Sequence, residues 1–214
     1  MHQRARKQED KQERRDAILA VARALCRDGS PATVTMAEVA ARAGLAKGTL
    51  YLYFRTREEL LLELLAELLW DWFDEIDAGL AVPRRFRAAR VAALLAGALE
   101  RHPPLAPLLS ILQAILEHNI ELDAAQRFKQ HLLARVATTG ALLEHRLPRL
   151  PRRAGARALL HVNALVVGLQ QMGDPAPVVR RVLEDPALRP LRIDFRRELP
   201  FALTALLEGF QRPR

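Results

Sequence analysis

Between positions 47 and 53 the chain reads Lys47-Gly48-Thr49-Leu50-Tyr51-Leu52-Tyr53, with Phe54 next. On a short helix, Leu50 and Phe54 share one face, which leaves Lys47, Gly48, Thr49, Tyr51 and Tyr53 for the other. A cation, hydroxyl groups, phenols and a small residue form the set with which a helix in a major groove meets base edges and phosphates. Leu52 adds no hydrogen bond but suits a thymine methyl. No other chemistry has a comparable set. His102, His118, His131, His145 and His161 are scattered over different segments, without H-E-x-x-H or E-x-x-H spacing, and Cys26 is the only cysteine. There is no G-x-S-x-G and no Gly-rich phosphate loop. The reading is of a protein with no catalytic residue, no metal and no cofactor, and not an enzyme.

The elements that must hold this set are read from caps and periodicity. The first fifteen residues are a charged arm, after which a helix from about Asp16 carries Ile18, Ala22 and Leu25 and stops at Gly29 and Pro31. Thr35-Met36-Ala37-Glu38 fits a capping box opening a short helix to about Arg42, and Gly44 provides a sharp turn. A second short helix runs from about Lys47 to Tyr53. Thr56-Arg57-Glu58-Glu59, another capping box, opens a long helix with Leu60, Leu64, Leu68, Trp72, Phe73 and Ile76 in register. Val39, Ala40, Leu45, Leu50 and Phe54 are expected to hold the two short helices against Ile18, Leu25 and Leu60. Two short helices about a Gly-containing turn form a helix-turn-helix.

Residues 18–25, Gly29 and the run Thr33–Leu60 resemble the DNA-binding domain of the TetR family of bacterial transcriptional regulators. The resemblance covers the first third of the chain. It implies that Thr35 caps the second helix at the DNA backbone and that Lys47, Thr49, Tyr51 and Tyr53 fall where base or phosphate contacts are made. Arg57 stands where the family usually has a phosphate-contacting lysine. Ala46 replaces a favoured serine, removing a side-chain N-cap worth about 1 kcal/mol, and Cys26 replaces a phenylalanine. In the family a small molecule bound in the C-terminal body shifts the long helix and moves two reading heads apart, as in a repressor released from a palindromic operator.

Beyond Pro83, helices are expected over about Phe86–Arg101, Leu105–Leu116, Leu122–Leu147, Arg153–Met172 and Asp194–Gln211, with loops and Pro-marked turns between the last two. The fold is therefore all-α: an arm (1–15), an N-terminal three-helix helix-turn-helix DNA-binding domain (16–56) and an antiparallel helical ligand-binding and dimerisation body (57–214). Trp72, Phe73, Leu94, Leu112 and Phe128 are candidates for an apolar ligand pocket, with Asn163, Val167 and Gln170 on one face of a neighbouring helix. Val166, Leu199, Leu203, Leu206 and Phe210 are candidates for a homodimer interface, since two helices are apolar on more faces than one core buries.

The chain has 214 residues, 33 Lys and Arg against 25 Asp and Glu, and a net charge of +8, which suits an anionic partner. With 5% aromatics it is a poor candidate for stacking on single strands. No apolar run is long enough to span a bilayer, and the polar N-terminus has no secretory pattern. The expected partners are duplex operator DNA, a second copy of the chain and a small apolar organic effector, in the cytoplasm and without a membrane. A helical interaction module, or an enzyme with a hidden site, remains the alternative.

Overall fold

The computed structural model describes residues 2–112 and 120–212. The end of the helix expected to reach Leu116, and His118, lie outside the described residues, as do the side chains of residues 2–7. The regular elements among the described residues are all α-helices or 3-10 turns, with no strand. The helices are α1 (His2–Asp28), α2 (Met36–Arg42), α3 (Lys47–Tyr51), α4 (Arg57–Ala81), α5 (Ala88–Arg101), α6 (Leu105–Leu112), α7 (Leu122–Arg146), α8 (Ala154–Gly173), α9 (Pro177–Val182) and α10 (Phe195–Phe210). Two features depart from the sequence reading. The helix placed from Asp16 begins at His2, so the charged arm is a continuation of α1. Pro177–Val182, read as loop, is a helical turn with proline at its start, where the missing N–H costs nothing.

In the N-terminal unit the local signals act as their chemistry requires. Thr35 Oγ1 accepts the Glu38 N–H (3.2 Å) while Glu38 Oε2 accepts the Thr35 N–H (2.9 Å), closing the capping box of α2. Those bonds hold the Glu38 carboxyl below its ordinary pKa. Gly44 has a φ of +65°, the left-handed conformation that lets α2 and α3 meet at a tight turn. At the start of α4, Thr56 Oγ1 accepts the Glu59 N–H (3.0 Å), but the Glu59 carboxylate reaches back to the Arg55 N–H (2.8 Å), one residue before the N-cap, so the second expected capping box is displaced and not reciprocal. Ile18, Leu50, Phe54 and Leu60 are fully buried between these helices. Cys26 joins them, and burial pushes its thiol up to about 11. Because the thiolate is the nucleophile, Cys26 should resist an alkylating reagent in the native protein and react only as fast as the head unfolds. Rapid labelling without loss of helical signal would contradict this burial.

In the body, α4 packs on α5, α6 and α7, while α8 lies against α6, α7 and α10, and α10 closes onto α5. Trp72 on α4 donates its indole N–H to the Leu95 carbonyl of α5 (3.2 Å). Asp77 accepts from Thr139 (2.6 Å) and Arg135 (3.0 Å), fixing α4 against α7. Arg146 donates to the carbonyls of Leu80 (2.6 Å) and Ala81 (3.2 Å), so the end of α7 lies beside the end of α4. Where α7 crosses α8, Gly140 and Gly155 put backbone against backbone: a Cβ at Gly155 would stand 2.0 Å from the Gly140 oxygen.

Candidate nucleic-acid interface

The short helix α3 has a sharply divided surface. Leu50 and the following Phe54 are 0% exposed, whereas Tyr51 is 42% and Leu52 77% exposed, and Lys47 and Gly48 are exposed beside them. Thr49 and Tyr53 are half-buried at the edges of this face. A Cβ added at Gly48 meets nothing within 4 Å, so its own fold does not demand glycine there; open space for a close external surface is what remains. Ala46 supplies no side-chain cap, leaving the first amides of α3 without a side-chain acceptor from that residue. Thr35 stands exposed at the start of α2, its hydroxyl donating to Glu38 (2.8 Å).

Arg57 is placed differently from Lys47. Its guanidinium meets Glu58 (3.0 Å) and the Ala32 carbonyl (2.9 Å), tying the start of α4 to the loop before α2. Its charge is therefore partly compensated within the chain.

Sequence reading missed Arg15, which it left in the arm. Arg15 Nε donates to Glu63 (2.6 Å), Nη1 to the Tyr53 carbonyl (2.6 Å), and the guanidinium lies over the Phe54 ring at 4.2 Å. The bond to Glu63 raises the arginine's pKa still further. One side chain thus clamps α1, the residues following α3, and α4. No local signal announces it, since its partners lie 38 and 48 residues away.

In the body a cavity of about 200 Å³ is lined by Trp72, Phe73, Leu112, Phe128 and Asn163, from α4, α6, α7 and α8. Leu69, Leu99, Leu105, Leu109 and Leu132 extend its apolar wall, with Lys129 also in the lining; the four- and three-residue spacing of Leu105, Leu109 and Leu112 was the available signal. Leu94 is not part of it but packs at Gly79, where α4 and α5 meet. Val167 and Gln170 also fall outside the lining, while Val166, expected at a dimer interface, is inside it. Val166, Leu199 and Leu203 are 2%, 2% and 0% exposed in a single chain, so they cannot form the surface presented to a partner; their apolar spacing serves their own core. Leu206 and Phe210 are half-exposed.

No group of three or more His, Cys, Asp or Glu is placed to hold a metal ion among the described residues. No described helix is long and apolar enough to cross a membrane.

A three-helix head that buries Leu50 and Phe54 and turns Lys47 and Tyr51 outward defines a helix-turn-helix DNA-binding protein. The model of the bacterial regulatory proteins of the tetR family matches residues 18–64, and that of the tetracyclin repressor-like C-terminal domain matches residues 66–214. The chain belongs to the TetR family and is a DNA-binding transcriptional regulator. Its fold is similar to that of the fatty acid degradation regulator FadR from Bacillus halodurans, at 18% identity over 94% of this chain and 97% of that one, with a TM-score of 0.56. It is also similar to FadR from Bacillus subtilis, solved with stearoyl-CoA, at 17% identity over 89% and 96% of the two chains and a TM-score of 0.54. A TetR-family regulator from Mesorhizobium loti is similar at 18% identity over 94% and 96%, with a TM-score of 0.55. A comparison with curated protein sequences gave no match.

Proposed function

We propose that the protein is a cytoplasmic homodimeric repressor, released from a palindromic operator by a small apolar organic effector. The observation that carries the DNA-reading part is the divided surface of α3, with Lys47 and Tyr51 outward over a fully buried Leu50 and Phe54. Lys47 is read as a phosphate contact, Thr49 and Tyr51 as base readers, Tyr53 and Thr35 as backbone contacts, and Gly48 as the point of closest approach. Arg57, held by Glu58, contributes less. Lys47→Ala should weaken binding about evenly across sequences and flatten the log–log salt dependence by roughly one unit. Arg57→Ala should change the slope by less than that. An unaltered salt slope for Lys47→Ala would overturn this orientation of α3.

Dimerisation is assigned to the outward faces of α8 and α10, where Ala164, Met172, Phe201 and Ala205 are exposed and Leu206 half-exposed. Two copies would present two recognition helices about 34–36 Å apart, or a multiple of that, to successive grooves. Duplexes selected from random sequence by the purified protein should therefore be inverted repeats. A single unrepeated half-site would overturn the dimeric reading, and a promoter that gains activity on binding would make the protein an activator.

The effector is assigned to the cavity bounded by Trp72, Phe73, Phe128 and Asn163. The Bacillus subtilis relative is solved with stearoyl-CoA, but a cavity of about 200 Å³ favours a compact apolar molecule over a long acyl chain. Trp72 and Phe73 sit on α4, whose start is joined to α3 by residues 52–56 and is clamped to α1 by Arg15 and Glu63. A ligand that displaces α4 thus moves the head with it, and a preference of a few kcal/mol for the displaced state is enough to empty an operator.

A further inference from the structure

The arginines at the far end of the body stand away from the DNA-reading head. α4 is 25 residues long, about 37 Å of helix, and the end of α7 is bonded to its last residues through Arg146. Beyond that point a trough of about 900 Å³ opens between the start of α8 and the end of α10. Arg149, Arg152, Arg153, Arg157 and Arg212 line it, and no Asp or Glu among the described residues does. None of these five arginines makes an ion pair among the described residues. Glu144 of α7 is nearby in the fold, but one of its oxygens is taken by the Gly155 N–H (2.9 Å).

Three further features shape this cluster. Arg149 and Arg153 have φ angles of +71° and +65°, backbone in which glycine or asparagine is relaxed and arginine is strained. Arg157 lies over the Phe210 ring at 5.2 Å, and the His161 ring stands perpendicular to the same ring with centroids 5.5 Å apart, which orders one wall. Gln211, also in the lining, has a buried Nε2 with no acceptor among the described residues. The wall is thus rich in N–H donors and positive charge, and a complementary ligand must bring several acceptor oxygens and more than one negative charge. Guanidinium forks match phosphate oxygens in pairs, and the volume suits a small molecule.

We propose that this trough is an anion site for an oligophosphate, either a free phosphate chain or the phosphate tail of a nucleotide. The site is distinct from the operator-reading face and from the apolar cavity. Its α10 wall includes Ala205 and Leu206, which also lie on the proposed dimer face, so a second copy would border the trough and the arginines would stand on its open side. Calorimetric titration of the full chain with inorganic tripolyphosphate, and separately with ATP, tests it without added magnesium. Tripolyphosphate should bind the wild type, bind Lys47→Ala equally well, and bind an Arg152→Ala/Arg153→Ala/Arg157→Ala variant at least tenfold more weakly. Arg152→Glu, on an exposed loop position, should lose binding with the helical signal unchanged. ATP binding more tightly than tripolyphosphate would assign the site to nucleotides, and equal affinities to the phosphate chain itself. Unchanged affinity in both arginine variants, loss of binding in Lys47→Ala, or an affinity for sulfate equal to that for tripolyphosphate would overturn the proposal. So would a sedimentation profile in which the arginine variants lose self-association, because the arginines would then be interface residues.

Discussion

Leu203→Glu is expected to abolish folding of the body, whereas Phe201→Glu, two residues earlier on the same helix, is expected to give a folded monomer. Leu203 is 0% exposed within a single chain, and Phe201 is 73% exposed. A carboxylate at position 203 would be desolvated among apolar side chains, at a cost of several kcal/mol. That is a large part of the roughly 5–15 kcal/mol that holds a domain together. At position 201 the same carboxylate stays in water in the isolated chain and opposes only the apposition of a second α10. Thermal melts followed by circular dichroism, with sedimentation on the same samples, separate the two effects. A Leu203→Glu protein that melts like the wild type would show α10 to be packed wrongly. A Phe201→Glu protein that still pairs would move the dimer interface off this face.

Gly155→Ala should produce the second large effect. The added Cβ would stand 2.0 Å from the oxygen and 2.6 Å from the carbon of Gly140, and both are backbone atoms of α7. No side chain can rotate away, so α7 and α8 must separate along their contact. Overpacking of a core commonly costs about 1–3 kcal/mol, and rigid backbone on both sides puts this case at the upper end or above. For a chain of this size each kcal/mol lowers the melting temperature by about 2–4 °C, so a fall of roughly 6–12 °C is expected. Gly97→Ala is the control. Its Cβ meets only the guanidinium end of Arg101, at 3.4 Å, and replacing a mid-helix glycine should stabilise by up to about 1 kcal/mol. Equal melting temperatures for the two variants would contradict the close crossing.

The parts of this protein that were legible in the amino-acid sequence are those whose causes are local. Thr35 and Glu38 are three residues apart, and their reciprocal bonds need no other part of the chain. Gly44 marks the turn because backbone strain belongs to one residue. Leu50 and Phe54 predict which face of α3 is inward because helical spacing sets it. The same spacing brought Trp72, Phe73, Leu112, Phe128 and Asn163 into consideration, and they do line one cavity.

What only the tertiary structure decided depends on which surfaces meet. Periodicity marks Val166 and Leu203 as apolar-facing but not whose apolar surface they face, and their own chain covers them. Leu94 has the right chemistry for the cavity, yet the close approach of Gly79 directs it to the α4–α5 contact. Arg15 reads as one charge among many until folding brings Glu63 and the Tyr53 carbonyl to it from 48 and 38 residues away. The basic balance of the chain, too, is a scalar in the sequence. Folding divides it, leaving Lys47 on the reading helix and gathering Arg149, Arg152, Arg153, Arg157 and Arg212 around a trough at the other end of the body. Charge acts through distance, and distance between residues far apart in the chain is set only when the helices pack.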